Sequence, residues 1–90
     1  MNAQLLMKIS LIIDKMGIAN DIMNIDKGSN EEVGKALIGL IISKIYKAEN
    51  EVYELIAQYK NISIEQAKSI EIIPIIKEVF ALKEVKDFLS

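Results

Sequence analysis

Residues 3–17 read AQLLMKISLIIDKMG, and this stretch decides the fold class of the chain. Five apolar side chains in it recur at the i, i+4, i+7, i+8, i+11 spacing of one helix face. They are Leu5, Ile9, Ile12, Ile13 and Met16. Gly17 follows directly, in the position of a C-terminal cap. The pattern predicts a helix over residues 3–16.

The residues that follow are less regular. Ile18, Ile22 and Ile25 continue a weaker apolar spacing between Asn and Asp residues, which predicts a short helix or an irregular arm. The clearest break is DKGSN at residues 26–30. Ser29 and Glu32 then have the spacing of a capping box, in which each side chain bonds the backbone of the other. A helix is therefore expected to start at residue 30.

This second long helix is apolar over most of its circumference. Its main face comprises Val33, Leu37, Leu40, Ile41 and Ile45, with Ile38 and Ile42 on the flank. A helix of this kind is normally central in a bundle or lies in an interface. Gly34 and Gly39 each cost about 1 kcal/mol relative to alanine inside a helix. Close approach of another helix and plain sequence tolerance are two explanations that the sequence leaves open.

Residues 48–59 carry the next amphipathic stripe, formed by Ala48, Val52, Leu55, Ile56 and Tyr59. No glycine or proline separates it from the preceding helix, so residues 30–60 could be continuous. A bend near residues 46–48 is favoured, because a single rod of that length would leave a small domain little to fold against. Asn61 is expected to end this helix.

The C-terminal third predicts shorter helices. Ser63 and Gln66 repeat the capping-box spacing and predict a helix at 64–69, with Ile62 stapled onto Ala67. Pro74 is tolerated only in a first turn, so the last main helix should begin near residue 71 or 72. Its expected inward face is Ile72, Ile73, Ile76, Val79 and Phe80, and Val85, Phe88 and Leu89 form a last amphipathic turn.

No strand-like alternation survives these assignments, since the best candidate run, residues 72–76, has Pro74 in its middle. We predict an all-α fold. Residues 1–90 should form a single helical domain, a small orthogonal or irregular bundle of four to six helices.

The amino-acid composition argues against catalysis and against metal or cofactor binding. Isoleucine fills 18 of the 90 positions, while histidine, cysteine, tryptophan and arginine are absent. The serines have no histidine to activate them, and the paired acids lie on solvated helix faces, so no catalytic residues are expected. Asp21, Asn24 and Asp26 resemble part of a calcium loop, but its glycine and late glutamate are misplaced. We therefore expect neither an enzyme nor a bound metal or cofactor.

The net charge and the hydropathy pattern limit the classes of partner that the chain is expected to bind. The net charge is −2, and the 11 lysines are spread along the chain, so no basic groove for nucleic acid is expected. The apolar run at residues 36–42 is too short to span a bilayer. The N-terminus lacks the features of a signal peptide, which predicts a cytoplasmic protein. The remaining class of function is protein binding.

Two apolar surfaces are candidates for partner contact. The first comprises Ile38 and Ile42, and the second comprises Val85, Phe88 and Leu89. Either could equally be ordinary core. The isoleucine surplus likewise has two explanations, an AT-rich genome or an uncovered binding surface. The number of exposed isoleucines distinguishes them.

Several segments, taken in order, carry a family resemblance. They are residues 7–9, residues 12–18, residues 44–57 (KIYKAENEVYELIA), residues 64–67, residues 75–80 and residues 85–88. Together they resemble the small tail assembly chaperones of long-tailed phages and prophages of Gram-positive bacteria. The resemblance covers nearly the whole chain.

The resemblance implies a function in phage tail morphogenesis. Such a chaperone is thought to coat the long helical tape-measure protein until tail-tube subunits polymerise around it. It implies a non-catalytic, self-associating protein of the host cytoplasm, whose partners are the tape-measure protein and the tail-tube protein. The alternative function is a small oligomeric helical module with a regulatory or structural role.

Overall fold

The structure is a computed structural model that describes residues 3–25 and 28–89. Over those residues the backbone forms helices and turns but no strand. The segments are α1 (Ala3–Met16), α2 (Ala19–Met23), α3 (Asn30–Lys44), a 3-10 turn (Ile45–Ala48), α4 (Glu49–Lys60), α5 (Ile64–Ala67), α6 (Ile72–Ala81) and α7 (Lys83–Leu89). The all-α prediction is confirmed. Five of these described segments are helices of seven residues or more, in line with the predicted four to six.

The first helix follows its prediction residue by residue. α1 has the predicted bounds, and its buried side chains are the five of the predicted stripe. Gly17 has a φ of +68°, where its N–H donates to the carbonyls of Ile13 and Asp14, both at 3.1 Å. This left-handed conformation favours glycine, which has no Cβ to clash with the backbone. The predicted cap at Gly17 is confirmed.

Residues 30–60 form two helices. α3 ends at Lys44, and the 3-10 turn with its buried Ala48 separates it from α4. The bend predicted near residues 46–48 is confirmed. At the start of α3 the backbone N–H of Glu32 donates to Ser29 Oγ at 3.2 Å, which is the first half of the predicted capping box. Asp26 and Lys27, which belong to the predicted break, lie outside the described residues.

The short helix α5 has a complete capping box. Gln66 N–H donates to Ser63 Oγ at 3.1 Å, and Ser63 N–H donates to Gln66 Oε1 at 2.9 Å. Asn61 ends α4 in a left-handed conformation with a φ of +57°, as its position predicted. Ala67 is buried and Ile62 packs against the core, as a staple requires. The helix ends at Ala67, shorter than the predicted 64–69.

In α6 the predicted start is confirmed, since Glu71 is the N-cap and Pro74 falls in the first turn. One predicted core residue is wrong. Ile73 is 37% exposed, and Ile75 is buried in its place. The run of consecutive isoleucines fits two registers, and the i, i+3, i+4, i+7 series beginning at Ile72 is the one that faces the core.

The buried side chains form one cluster to which every described helix and the 3-10 turn contribute a packed side chain. α1 packs against α4 and the 3-10 turn, while α3 packs on α6 and α6 on α7. Two ion pairs join α1 to α4, Lys8 to Glu54 at 3.0 Å and Lys15 to Glu51 at 2.8 Å. The arrangement leaves α2 and α7 on the same side of α3 and α6, where both line the groove described below.

The core absorbs most of the isoleucine surplus. Of the 18 isoleucines, eight are buried, six are half-buried and four are exposed. The exposed four are Ile42, Ile64, Ile70 and Ile73. An uncovered binding surface therefore does not account for most of the surplus, and such a surface has to be sought among all the apolar side chains.

Candidate functional site

An apolar groove of about 670 Å³ lies between α2, the first half of α3 and the C-terminal helices α6 and α7. The buried side chains of Leu37 and Phe80 form its floor. Its remaining lining residues are Ile22, Met23, Ile25, Val33, Gly34, Ala81, Lys83, Lys86, Asp87 and Leu89. Met23 on the α2 side is 79% exposed, so the groove opens to solvent.

Local sequence explains why a groove remains here. Val33 and Leu37 are one turn apart on α3, and Gly34 lies beside Val33 without a side chain to fill the space. A Cβ placed on Gly34 would meet no atom within 4 Å. The same is true of Gly39, so neither glycine permits close approach of another helix within this chain. Close approach of a helix from the described part of this chain therefore explains neither glycine, and at Gly34 the missing side chain deepens the groove.

Among the described residues, the charged side chains that line the groove all belong to α7. Lys83 and Lys86 line it from α7, three residues apart and therefore on neighbouring positions of one helix face. Within the described residues neither lysine has a carboxylate partner within 4.0 Å, whereas five other lysines have one. Asp87 also lines the groove but already has an interaction within the chain. Two unpaired ammonium groups thus border an apolar surface.

The structure distributes the five predicted partner-contact residues over different environments. Val85 is fully buried in the core and offers a partner no surface. Ile38 is half-buried against the core, while Ile42 and Phe88 are 40% and 41% exposed. Leu89 alone lines the groove. Four of the five predicted residues therefore lie outside the lining of the groove.

Sequence reasoning missed most of the groove. Ile22 and Ile25 were assigned only to a weak apolar spacing, Val33 was assigned to a helix face, and Met23 was not singled out. That spacing was the signal in the sequence that could have indicated the groove, because it places apolar side chains in a segment for which no packing partner was predicted. Which other helix they face depends on the tertiary arrangement.

Two hydrogen-bonded pairs perturb the pKa values of surface carboxyls. The hydrogen bond from Lys15 holds the pKa of the Glu51 carboxyl below its ordinary value. The Tyr59 hydroxyl donates to Glu78 at 2.8 Å and, with the charge of Lys60, lowers the pKa of Glu78, and the same bond raises the pKa of Tyr59. A general acid at neutral pH needs a raised carboxyl pKa, whereas the pKa values of Glu51 and Glu78 are both lowered.

The described residues offer few sites for other chemistry. Ser29 and Ser63 serve as helix caps, and the Ser43 hydroxyl donates to the Leu40 carbonyl at 2.8 Å. Among the described side chains, no group of three or more acids is placed to hold a metal ion. In the same part of the chain no helix combines the length and apolarity that crossing a membrane requires.

Comparison of the chain with protein-family models, with curated proteins and with solved structures found no match. Function is therefore inferred from the groove and from the sequence resemblance. Of the surfaces described above, the groove has the geometry and composition of a binding site, since ligand sites are concave and mostly apolar with a few placed polar groups.

Proposed function

We propose that this protein is a non-catalytic tail assembly chaperone that binds apolar helical segments of a phage tape-measure protein in its groove. The observation that carries the proposal is the open groove itself, in which apolar side chains of α2, α3 and α7 face one another across an unfilled space. The sequence resemblance supplies the identity of the partner. The protein would act in the cytoplasm of the host cell and be absent from the finished tail.

The walls of the groove favour a helix as the bound segment. Each wall is itself a helix, and wall residues such as Val33 and Leu37 recur at the spacing that forms ridges on a helix surface. An amphipathic helix places its apolar face into such a groove, with anchors at i, i+3, i+4 and i+7. Met23 adds a flexible side chain that adapts to different anchors.

The size of the groove bears on how many copies would act together. α7 has seven residues and is therefore about 10 Å long, which matches about two turns of a bound helix. One copy would shield only a short piece of a long tape-measure protein. Many copies would be needed along it, which fits a protein that coats its partner until tail-tube subunits arrive.

The proposal is tested by co-expressing the protein with a tape-measure protein and measuring the soluble fraction of the latter. We expect solubility to rise with the wild-type protein and to return to its baseline with Gly34→Leu, which fills the groove. Gly39→Leu is the matched control, because Gly39 lies in the same helix, has equal space around it and does not line the groove. A tape-measure protein that stays insoluble beside the wild-type protein would show that the proposed function is wrong.

A second candidate function, a small oligomeric helical module, is favoured by a different surface. Met7 and Leu11 are exposed one turn apart on the outer side of α1, away from the buried stripe of that helix. Self-association through them would bury both. Light scattering at tens of micromolar protein, with Met7→Lys/Leu11→Lys as the comparison, distinguishes an oligomer formed through α1 from a monomer that binds partners through the groove.

A further inference from the structure

We infer that the groove selects helices that carry acidic side chains along one edge of their apolar face, and that Lys83 and Lys86 form ion pairs with those side chains. This inference rests on the proposed helix-binding role of the groove. It adds a charge requirement that the sequence resemblance does not supply.

Lys83 and Lys86 are the charged groups in the groove that could pair with a bound ligand. Both are exposed, both line the groove from α7, and neither is paired with a carboxylate of the described residues. Elsewhere ion pairing is common, since α1 is tied to α4 by Lys8 and Lys15. Asp87 already has a contact within the chain, so the lysines are the groups left for a ligand.

The part of the opposite wall that the structure describes carries no charged side chain. α2, the turn that follows it and α3 contribute Ile22, Met23, Ile25, Val33, Gly34 and Leu37 to the lining, all of them uncharged. A bound helix would therefore meet apolar surface on one side and ammonium groups on the other. Its acidic side chains have to face α7, which also fixes its rotation about its own axis.

Spacing and reach support a helix as the acidic ligand. Lys83 and Lys86 are one helical turn apart, so they match carboxylates at i and i+3 or i+4 on a neighbouring helix. A lysine lays its methylene stem along apolar surface and keeps its charge in water, so both can border the groove without closing it. Exposed ion pairs are individually weak, and two of them should favour an acidic peptide by about three- to tenfold in Kd at low salt.

The test uses three fluorescently labelled amphipathic peptides with the same leucine stripe and with Glu, Gln or Lys at the flanking positions. Fluorescence anisotropy should show the Glu peptide binding about three- to tenfold more tightly than the Gln peptide, with the Lys peptide weakest. The differences should shrink as salt is raised, because exposed charges are screened. Lys83→Glu/Lys86→Glu should invert the order.

Lys47→Glu/Lys77→Glu is the matched control, because it makes the same change in net charge at two exposed lysines that do not line the groove. It should keep the wild-type order, and circular dichroism should show equal helicity for all variants. Equal binding of the three peptides, or inversion by the control pair, would overturn the charge requirement and leave helix binding intact. Dodecanoate is tested as a competitor for the labelled Glu peptide. If it displaces that peptide at a lower concentration than the unlabelled Glu peptide does, the inference is overturned in favour of a small apolar acid as the ligand.

Discussion

Alanine substitutions at three glycines should change the stability of this protein in opposite directions. Gly34 and Gly39 lie inside α3, where glycine costs backbone entropy and an added Cβ meets nothing within 4 Å. Gly17 has a φ of +68°, a conformation that strains any residue with a Cβ. We expect Gly34→Ala and Gly39→Ala to stabilise the fold and Gly17→Ala to destabilise it.

The magnitudes follow from these environments. Replacing glycine by alanine in a helix interior should add about 0.5–1 kcal/mol to the free energy of unfolding at each position. The two sites share no contact, so the double variant should gain about 1–2 kcal/mol. Gly17→Ala should lose about 1–2 kcal/mol. For 90 residues, at about 2.1 cal/mol/K per residue, 1 kcal/mol corresponds to about 5 °C in Tm.

The assay is thermal and urea unfolding followed by far-ultraviolet circular dichroism at two protein concentrations. The urea m-value should stay constant across the variants, since none of them changes the surface exposed on unfolding. A lower Tm for Gly39→Ala, above all one that depends on protein concentration, would refute the reasoning. It would mean that the outer face of α3 contacts another copy closely, as a glycine at an interface permits. A higher Tm for Gly17→Ala would refute the cap.

Three further predictions concern the core, acid stability and one buried amide. Ile56→Ala should cost about 2–5 kcal/mol in urea unfolding, because Ile56 is fully buried, whereas Ile42→Ala should change stability by less than about 0.5 kcal/mol. The lowered pKa values of Glu51 and Glu78 stabilise the fold above the ordinary glutamate pKa of about 4.3, and this is lost as pH falls through the lowered values. Urea unfolding over a pH series should therefore show a smaller acid loss for Glu51→Gln/Glu78→Gln. Gln58 Nε2 is buried without a hydrogen-bond partner among the described residues. Gln58→Met should therefore raise the free energy of unfolding by about 1 kcal/mol, which a thermal scan would show as a higher Tm.

The sequence predicts local features well where one signal dominates. α1 has a single apolar stripe that ends in glycine, and its bounds and buried residues were all predicted. The caps at Ser63 and Asn61 depend on residues within a few positions of one another, and both were predicted. In such segments short-range chemistry determines the structure, and tertiary contacts agree with it.

Prediction fails where the outcome depends on contacts between distant segments. α3 is apolar on several sides, so its packing on α6, on the 3-10 turn and on α2 determines that Leu37 and Ile41 are buried while Ile42 is exposed. The pairing of lysines is equally non-local, since Lys8 finds Glu54 across 46 positions while Lys83 finds no carboxylate among the described residues. The groove is lined by residues of four helices from distant parts of the sequence, so no single stretch of sequence could have predicted it.

The attachment of α2 has a consequence for the range of partners. None of the five residues of α2 is buried, whereas Ile18, just before it, is fully buried and fixes the start of the helix. Moving α2 outward therefore disrupts few core contacts, while Phe80 and Val85 hold the opposite wall in place. One side of the groove can adjust to bulkier or slimmer segments at little energetic cost. A groove of this kind would tolerate sequence variation in a bound helix, so under the proposed function one binding surface would serve many different segments of the tape-measure protein.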